Sequence, residues 1–285
     1  MKQKLLHLLN FIKFEHSVFA LPFALSGALL ANSHGLPKLS TIFWIVLAMS
    51  SARSFAMSLN RIIDKEIDLK NPRTKNRELP QGKLSKSQAV LFSLVSFCVL
   101  IYSTLELPRL CLFLLPIAAL WFLIYPFTKR FTSLSHLWLG ISLGGSVLGG
   151  WIACSGEVTS PLPYILGAAV TFWVAGFDII YALQDIEFDK KNKLHSIPVV
   201  FGVKGAIFIS RIFHVLTVFF LIVLSKFIGA SFIYWSCIVF VSVMLFYEQS
   251  LVKENNLSKI NLAFFTVNGW VSVGFFIFIL LERLI

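Results

Sequence analysis

Nine runs of mainly apolar residues, at approximately 15–33, 41–63, 87–105, 109–127, 134–154, 162–184, 206–224, 228–248 and 261–282, constrain this chain before anything else does. A helix needs about 20 such residues to cross the hydrocarbon of a bilayer. Within lipid every backbone polar group must be satisfied inside its own segment, so each run is expected as a helix. Composition agrees. The apolar set makes up 57 % of the 285 residues and charged residues only 14 %, where about 25 % is usual in soluble domains. A soluble globule, a disordered tail, a fibre and a disulfide scaffold are excluded. The expected fold class is all-α, a polytopic membrane bundle of nine transmembrane helices forming one domain over 1–285.

The charges fix an expected orientation. With the N-terminus cytoplasmic, nineteen of the 25 Lys and Arg fall on its side of the membrane. Four (Lys38, Arg109, Lys226 and Arg283) fall opposite, and Arg53 and Arg61 lie within the second run. The positive-inside rule then places the N-terminus inside and, after nine crossings, the C-terminus outside. The net charge of +11 thus reads as contact with lipid headgroups and not with nucleic acid. A multi-pass protein of the cell's inner (plasma) membrane is expected, with no cleavable signal peptide and no obligate protein partner. Cys98, Cys111, Cys154 and Cys237 form no CxxC pair and read as small buried hydrophobes.

Acidic residues are distributed unevenly as well. The chain has five aspartates, Asp64, Asp68, Asp178, Asp185 and Asp189, all at the cytoplasmic ends of the second and sixth runs. The stretch Asp64-Lys-Glu-Ile-Asp68-Leu-Lys-Asn71 aligns with Asp185-Ile-Glu-Phe-Asp189-Lys-Lys-Asn192 at five of eight positions, a pseudo-repeat within 60–71 and 181–192. Spacing of four sets Asn60, Asp64 and Asp68 on one helix face, and Asp185 and Asp189 likewise. Like charges one turn apart repel unless something positive lies between them. Two such faces meeting across a bundle suit a hard divalent cation, which takes oxygen ligands and often shares them with substrate phosphates.

Groups suited to an anion surround the motifs. Arg73, Lys75 and Arg77 follow the first motif, and Tyr125-x-x-x-Lys129 closes the fourth run. Arginine clamps phosphate through two N–H groups, and lysine acts as a point charge. Asp178 and Tyr181 precede the second motif and are expected to contact substrate. Arg53, in the middle of the second run, is a costly intramembrane charge and so a candidate ligand-binding group. It stands about 10 Å before Asn60 along a helix. An anionic group on a bound ligand is its expected partner. His16 beside Glu15 reads equally as an interfacial pair or a substrate contact.

Asn60-x-x-x-Asp64-x-x-x-Asp68, the following Arg-Thr-Lys-Asn-Arg-Glu-Leu-Pro-Gln-Gly, Tyr125-x-x-x-Lys129 and Asp185-x-x-x-Asp189 together resemble the UbiA superfamily of intramembrane aromatic prenyltransferases. The likeness runs through the whole chain in motif order. One departure stands out: Arg61 follows Asn60, where the family commonly has Asn-Asp. The opening at residues 11–24 is similar to quinone-pathway members, such as 4-hydroxybenzoate polyprenyltransferases and relatives that prenylate a dihydroxynaphthoate in menaquinone synthesis.

The resemblance implies a Mg²⁺-dependent transfer of a polyprenyl chain from its diphosphate to an aromatic acid. It implies Asn60, Asp64, Asp68, Asp185 and Asp189 as metal ligands, with Tyr125, Lys129, Arg73 and Arg77 stabilising the departing diphosphate. The allylic cation is then attacked by a ring carbon ortho to the acceptor's hydroxyl. An ion-coupled transporter is the rival from another class, but its acids would more often lie near mid-membrane. A phospholipid-type alcohol phosphotransferase has a tighter, Gly-containing acidic signature, and a soluble prenyl synthase would not carry nine apolar runs.

Overall fold

In a computed structural model the chain is described except at residues 1, 14–18 and 33–34, and for 2–6 in its backbone alone. The Glu15–His16 pair therefore lies outside the described residues. The architecture is helical throughout: α1 Lys2–Phe11, α2 Leu21–Ala31, α3 Leu39–Ile63, α4 Lys65–Lys70, α5 Lys86–Leu105, α6 Arg109–Ile124, α7 Ser135–Ser155, α8 Leu162–Ala182, α9 Ile186–Lys191, α10 Ile197–Ile228, α11 Phe232–Leu251 and α12 Asn268–Leu284. Short 3₁₀ turns cover Tyr125–Arg130 and Leu183–Asp185, and a π-helical turn covers Leu262–Val267.

Among the described residues eight helices are long and apolar enough to cross a membrane. They match the second to ninth sequence runs. Of the first run, the described helix is the apolar, 11-residue α2. Two boundaries follow from glycine. Gly229, at φ +61°, ends α10 in the left-handed conformation, and Ser231 caps α11 by accepting from the Ile233 N–H. Gly202, at φ +68°, breaks α10 one turn after it starts. The apolar run begins at 206 because Lys204 interrupts the sequence before it.

The chain closes into a ring in which α2 packs on α7, α7 on α8, α8 on α10, α10 on α11, α11 on α12 and α12 back on α2, with α3, α5 and α6 laid against one side. α8 is the most enclosed span. Its Trp173 and Phe177 join Phe23, Phe275 and Tyr234 in the main apolar core. Outward-facing Phe113, Ile117, Phe208, Val215 and Phe246 leave an apolar exterior suited to lipid. Helices in lipid associate by close packing of small residues. α7 does this on both sides. A Cβ on Gly150 would lie 1.8 Å from the Ala24 carbonyl oxygen on α2, and one on Gly144 would lie 2.5 Å from that of Gly167 on α8.

Backbone cannot yield here as a flexible side-chain tip would. Gly150→Leu should therefore force α2 off α7 at a cost of about 3 kcal/mol or more. Thermal unfolding of the detergent-solubilised protein should show a lowered Tm or an aggregated species. A variant as stable as the parent would refute this packing.

Candidate functional site

Both acidic motifs sit where a helix breaks. The spacing suggested one continuous helical face through Asn60, Asp64 and Asp68. Instead α3 stops at Ile63, Asp64 takes a non-helical conformation at φ −94°, ψ 10°, and the six-residue α4 follows. Asp185 repeats this at φ −106°, ψ 3°, between the 3₁₀ turn after α8 and the six-residue α9. Backbone bonds from the Asp64 N–H to Asn60 and from the Asp68 N–H to Asp64 still carry the chain through the first break. Each motif thereby turns its two carboxylates inward without leaving the bundle.

The two breaks face one cavity of about 190 Å³. It is lined by Asn60, Asp64, Asp68, Arg73, Arg77, Tyr125, Lys129, Asp178, Tyr181, Asp185 and Asp189, eleven of the side chains singled out from the sequence. Lys75 is not in the lining, and neither is Arg53. Arg53 lies half-buried on α3, and its Nη2 donates to the Lys13 carbonyl at 3.1 Å.

Four carboxylates in so small a space repel strongly unless compensated. Each has its own cation. Asp68 accepts from Arg77 Nη1 at 2.7 Å, Asp64 from Arg130 Nη2 at 3.1 Å, and Lys129 Nζ stands 3.7 Å from Asp189. Arg73 grips Asp185 with both arms, Nε to Oδ1 at 3.0 Å and Nη2 to Oδ2 at 2.5 Å. Its Nη1 also donates to the Tyr181 hydroxyl at 3.0 Å, and its guanidinium lies 5.0 Å from that ring's centre. Burial alone would lower the Arg73 pKa, but the hydrogen bonds and charge of Asp185 outweigh it and hold it above its ordinary value. Asp64 goes the other way. Burial pushes its carboxyl up to about 6, against the hydrogen bond from Arg130.

The loop after the first motif reaches across to the second. Asn71 Nδ2 donates to Asp185 Oδ1 at 3.0 Å, while Asn71 Oδ1 accepts from the Arg73 N–H at 2.9 Å. This side-chain-to-backbone turn aims the guanidinium. Thr74 ties the same loop to the Asp68 carbonyl at 3.0 Å. On the other wall, the 3₁₀ turn Tyr125–Arg130 sends Lys129 toward the second motif and Arg130 toward the first. Sequence reading gave Arg130 and Asn71 no role. Arg130 had a signal, its place beside Lys129. Asn71 had one too, since both motifs end in Asn.

As a donor set, four carboxylates and an amide suit a hard divalent cation such as Mg²⁺. No three of the acidic, Cys or His side chains among the described residues already converge as a metal cluster. The arginine and lysine partners hold the carboxylates apart. A cation held there would replace ion pairs that are already formed, which would leave arginines available to an anion. The cavity has the parts to bind a metal–diphosphate complex.

Comparison with known proteins points the same way. The chain matches the UbiA prenyltransferase family over residues 20–277. It is 32 % identical over 249 residues to a 4-hydroxybenzoate octaprenyltransferase of Neisseria meningitidis serogroup B, covering 86 % of this chain and 82 % of that protein. A namesake from Marinomonas sp. is 30 % identical over 257 residues, covering 88 % and 87 %. The apo structure of a UbiA homolog from Aeropyrum pernix K1 superposes with a TM-score of 0.81 at 32 % identity, over 95 % of this chain and 97 % of that one. A UbiA homolog from Archaeoglobus fulgidus, solved bound to GPP and Mg²⁺, shares the fold at TM-score 0.77 and 18 % identity, over 98 % and 100 %. With its motifs in family order and a family match over nearly its whole length, the chain belongs to the UbiA prenyltransferase family and is a multi-pass membrane prenyltransferase.

Proposed function

We propose that this enzyme transfers a polyprenyl chain from its diphosphate to an aromatic acid of the 4-hydroxybenzoate type, a step of ubiquinone synthesis. The observation that carries the reading is the meeting of both acidic motifs with Arg73, Arg77, Lys129 and Arg130 in one cavity at the end of an apolar bundle. The names of the relatives support the acceptor class. In this reading Asn60, Asp64, Asp68, Asp185 and Asp189 hold Mg²⁺, which when bound supplies Lewis-acid neutralisation of the diphosphate oxygens. Arg73 and Arg77, released from their carboxylates, take phosphate oxygens through paired N–H groups. Lys129 and Tyr125 stabilise the charge that grows on the leaving group. The apolar surroundings keep water from the allylic cation. Asp185→Asn should cost about 3 kcal/mol or more of transition-state stabilisation, a hundredfold or greater loss of turnover. Mass spectrometry of the prenylated product from membranes, with and without chelator, measures this. Near-parental turnover, or turnover indifferent to chelator, would sink the proposal.

Arg53 is assigned the acceptor's carboxylate, an anion that must be neutralised once it leaves water. It stands on α3 seven residues before Asn60. Arg53→Ala is expected to raise the KM of the aromatic acid with little change in that of the prenyl diphosphate. If only the diphosphate constant moves, the residue serves the leaving group. If neither moves, it serves the fold.

The site is assigned to the cytoplasmic face of the inner membrane because nineteen of the 25 basic residues fall on that side of the sequence-derived topology. A reporter fused after Ile285 should read out on the far side of the membrane, and a cytoplasmic signal would contradict the nine-crossing topology.

A further inference from the structure

Asp178 differs from the other four aspartates in its partner. Those four face permanent cations, namely Arg73, Arg77, Lys129 and Arg130. Asp178 instead faces the Nδ1 of His136 at 2.7 Å. The carboxylate lines the cavity and keeps a solvent-exposed edge, whereas His136 is wholly buried behind it.

His136 is the second residue of the 21-residue α7. Its Nε2 is buried with no hydrogen-bond partner among the described residues, so a proton there would leave a buried donor unpaired. The single proton then belongs on Nδ1, donated to Asp178. Among the described residues Asp178 is the one aspartate of the five that meets a histidine and not an arginine or lysine. An N–H on Nδ1 orients its carboxylate without placing a permanent charge beside it.

Resting on the aromatic-transfer reading above, we propose that Asp178 is the proton acceptor of the transfer step and that His136 is its positioning residue. The bond from the prenyl carbon to the diphosphate oxygen breaks, and its electron pair leaves with the diphosphate. A ring carbon supplies the pair for the new C–C bond and becomes tetrahedral. The hydrogen on that carbon passes as a proton to a free oxygen lobe of Asp178, and its bonding pair restores the aromatic ring. Product release opens the exposed edge of Asp178, and the proton leaves to water.

The test uses full-length protein in membranes, geranyl diphosphate, Mg²⁺, and 4-hydroxybenzoate with hydrogen or deuterium at the carbons ortho to its hydroxyl. His136→Leu removes the donor and should lower kcat by about a hundredfold, the low end for a proton-transfer contribution. The KM of geranyl diphosphate should stay at the parental value. Deprotonation then becomes slow, so His136→Leu should show a larger ring deuterium isotope effect than the parent. His136→Asn places an N–H near the position of Nδ1 and should restore most of the rate. A slow His136→Leu with no added isotope effect, or Asn as slow as Leu, overturns the assignment. Failure of the parent itself to prenylate this acceptor would instead count against the function proposed above. In that event ¹⁵N-histidine spectra of the purified protein still decide. A neutral His136 protonated on Nδ1 supports the proposal, and an imidazolium or an Nε2–H ring defeats it.

Discussion

The cavity exists because each of its four paired carboxylates has a cation supplied from another part of the chain. Two unit charges 4 Å apart interact by about 4 kcal/mol at the effective dielectric of a protein edge. Uncompensated, Asp64, Asp68, Asp185 and Asp189 would drive α4 and α9 apart. Arg73 prevents this most directly, since it leaves the first motif and closes on Asp185 of the second. Arg130 does the converse from the opposite wall, reaching the first motif while its neighbour Lys129 reaches the second. The two halves of the bundle are cross-linked by charge at one end and by glycine-mediated packing along α7.

The ion pairs also give the site a resting state with nearly balanced charge. In the proposed function a lone divalent cation would have to displace arginine, a lone diphosphate would have to approach carboxylates, and a metal–diphosphate complex would satisfy both sets at once. Breaking a buried pair by removing one partner costs far more than exchanging partners. The arrangement therefore favours ligands that arrive with matched charge.

Hydropathy alone made eight crossings legible, because lipid solvation leaves so few alternatives to a long apolar helix. The first run, 15–33, ends within two residues of where α2 stops at Ala31, and its opening lies outside the described residues. The convergence of the acidic side chains was legible through rarity: with five aspartates in the chain, their clustering was itself the signal. Partner choice was not legible. Nothing in the spacing tells that Asn71 serves Asp185, 114 residues away, or that Arg130 and not Lys129 meets Asp64. His136 escaped notice for the same reason, as a single histidine in an apolar stretch is most often core. The break at Asp64 was hidden too, because its i→i−4 bonds persist and leave the four-residue spacing intact.

Behind Tyr181 the polar cavity gives way to stacked rings. Tyr181 lies flat on Phe264 with centroids 4.0 Å apart, and Phe264 meets Phe177 and Phe19 edge-on at 5.2 and 5.7 Å. Phe264 belongs to the π-helical turn Leu262–Val267, a wider coil that frees carbonyls an α-helix would use. Asn268 satisfies two of them, donating to the carbonyls of Ala263 and Phe264 at 3.0 and 3.2 Å. The same Nδ2 reaches the buried Glu248 at 3.2 Å, and its Oδ1 accepts from Trp173 at 2.7 Å. An amide in the middle of a membrane bundle thus holds the turn that carries Phe264. Phe264 backs Tyr181, and the Tyr181 hydroxyl accepts from Arg73. A polar network buried in the bundle and the charged edge of the cavity are in this way parts of one connected frame.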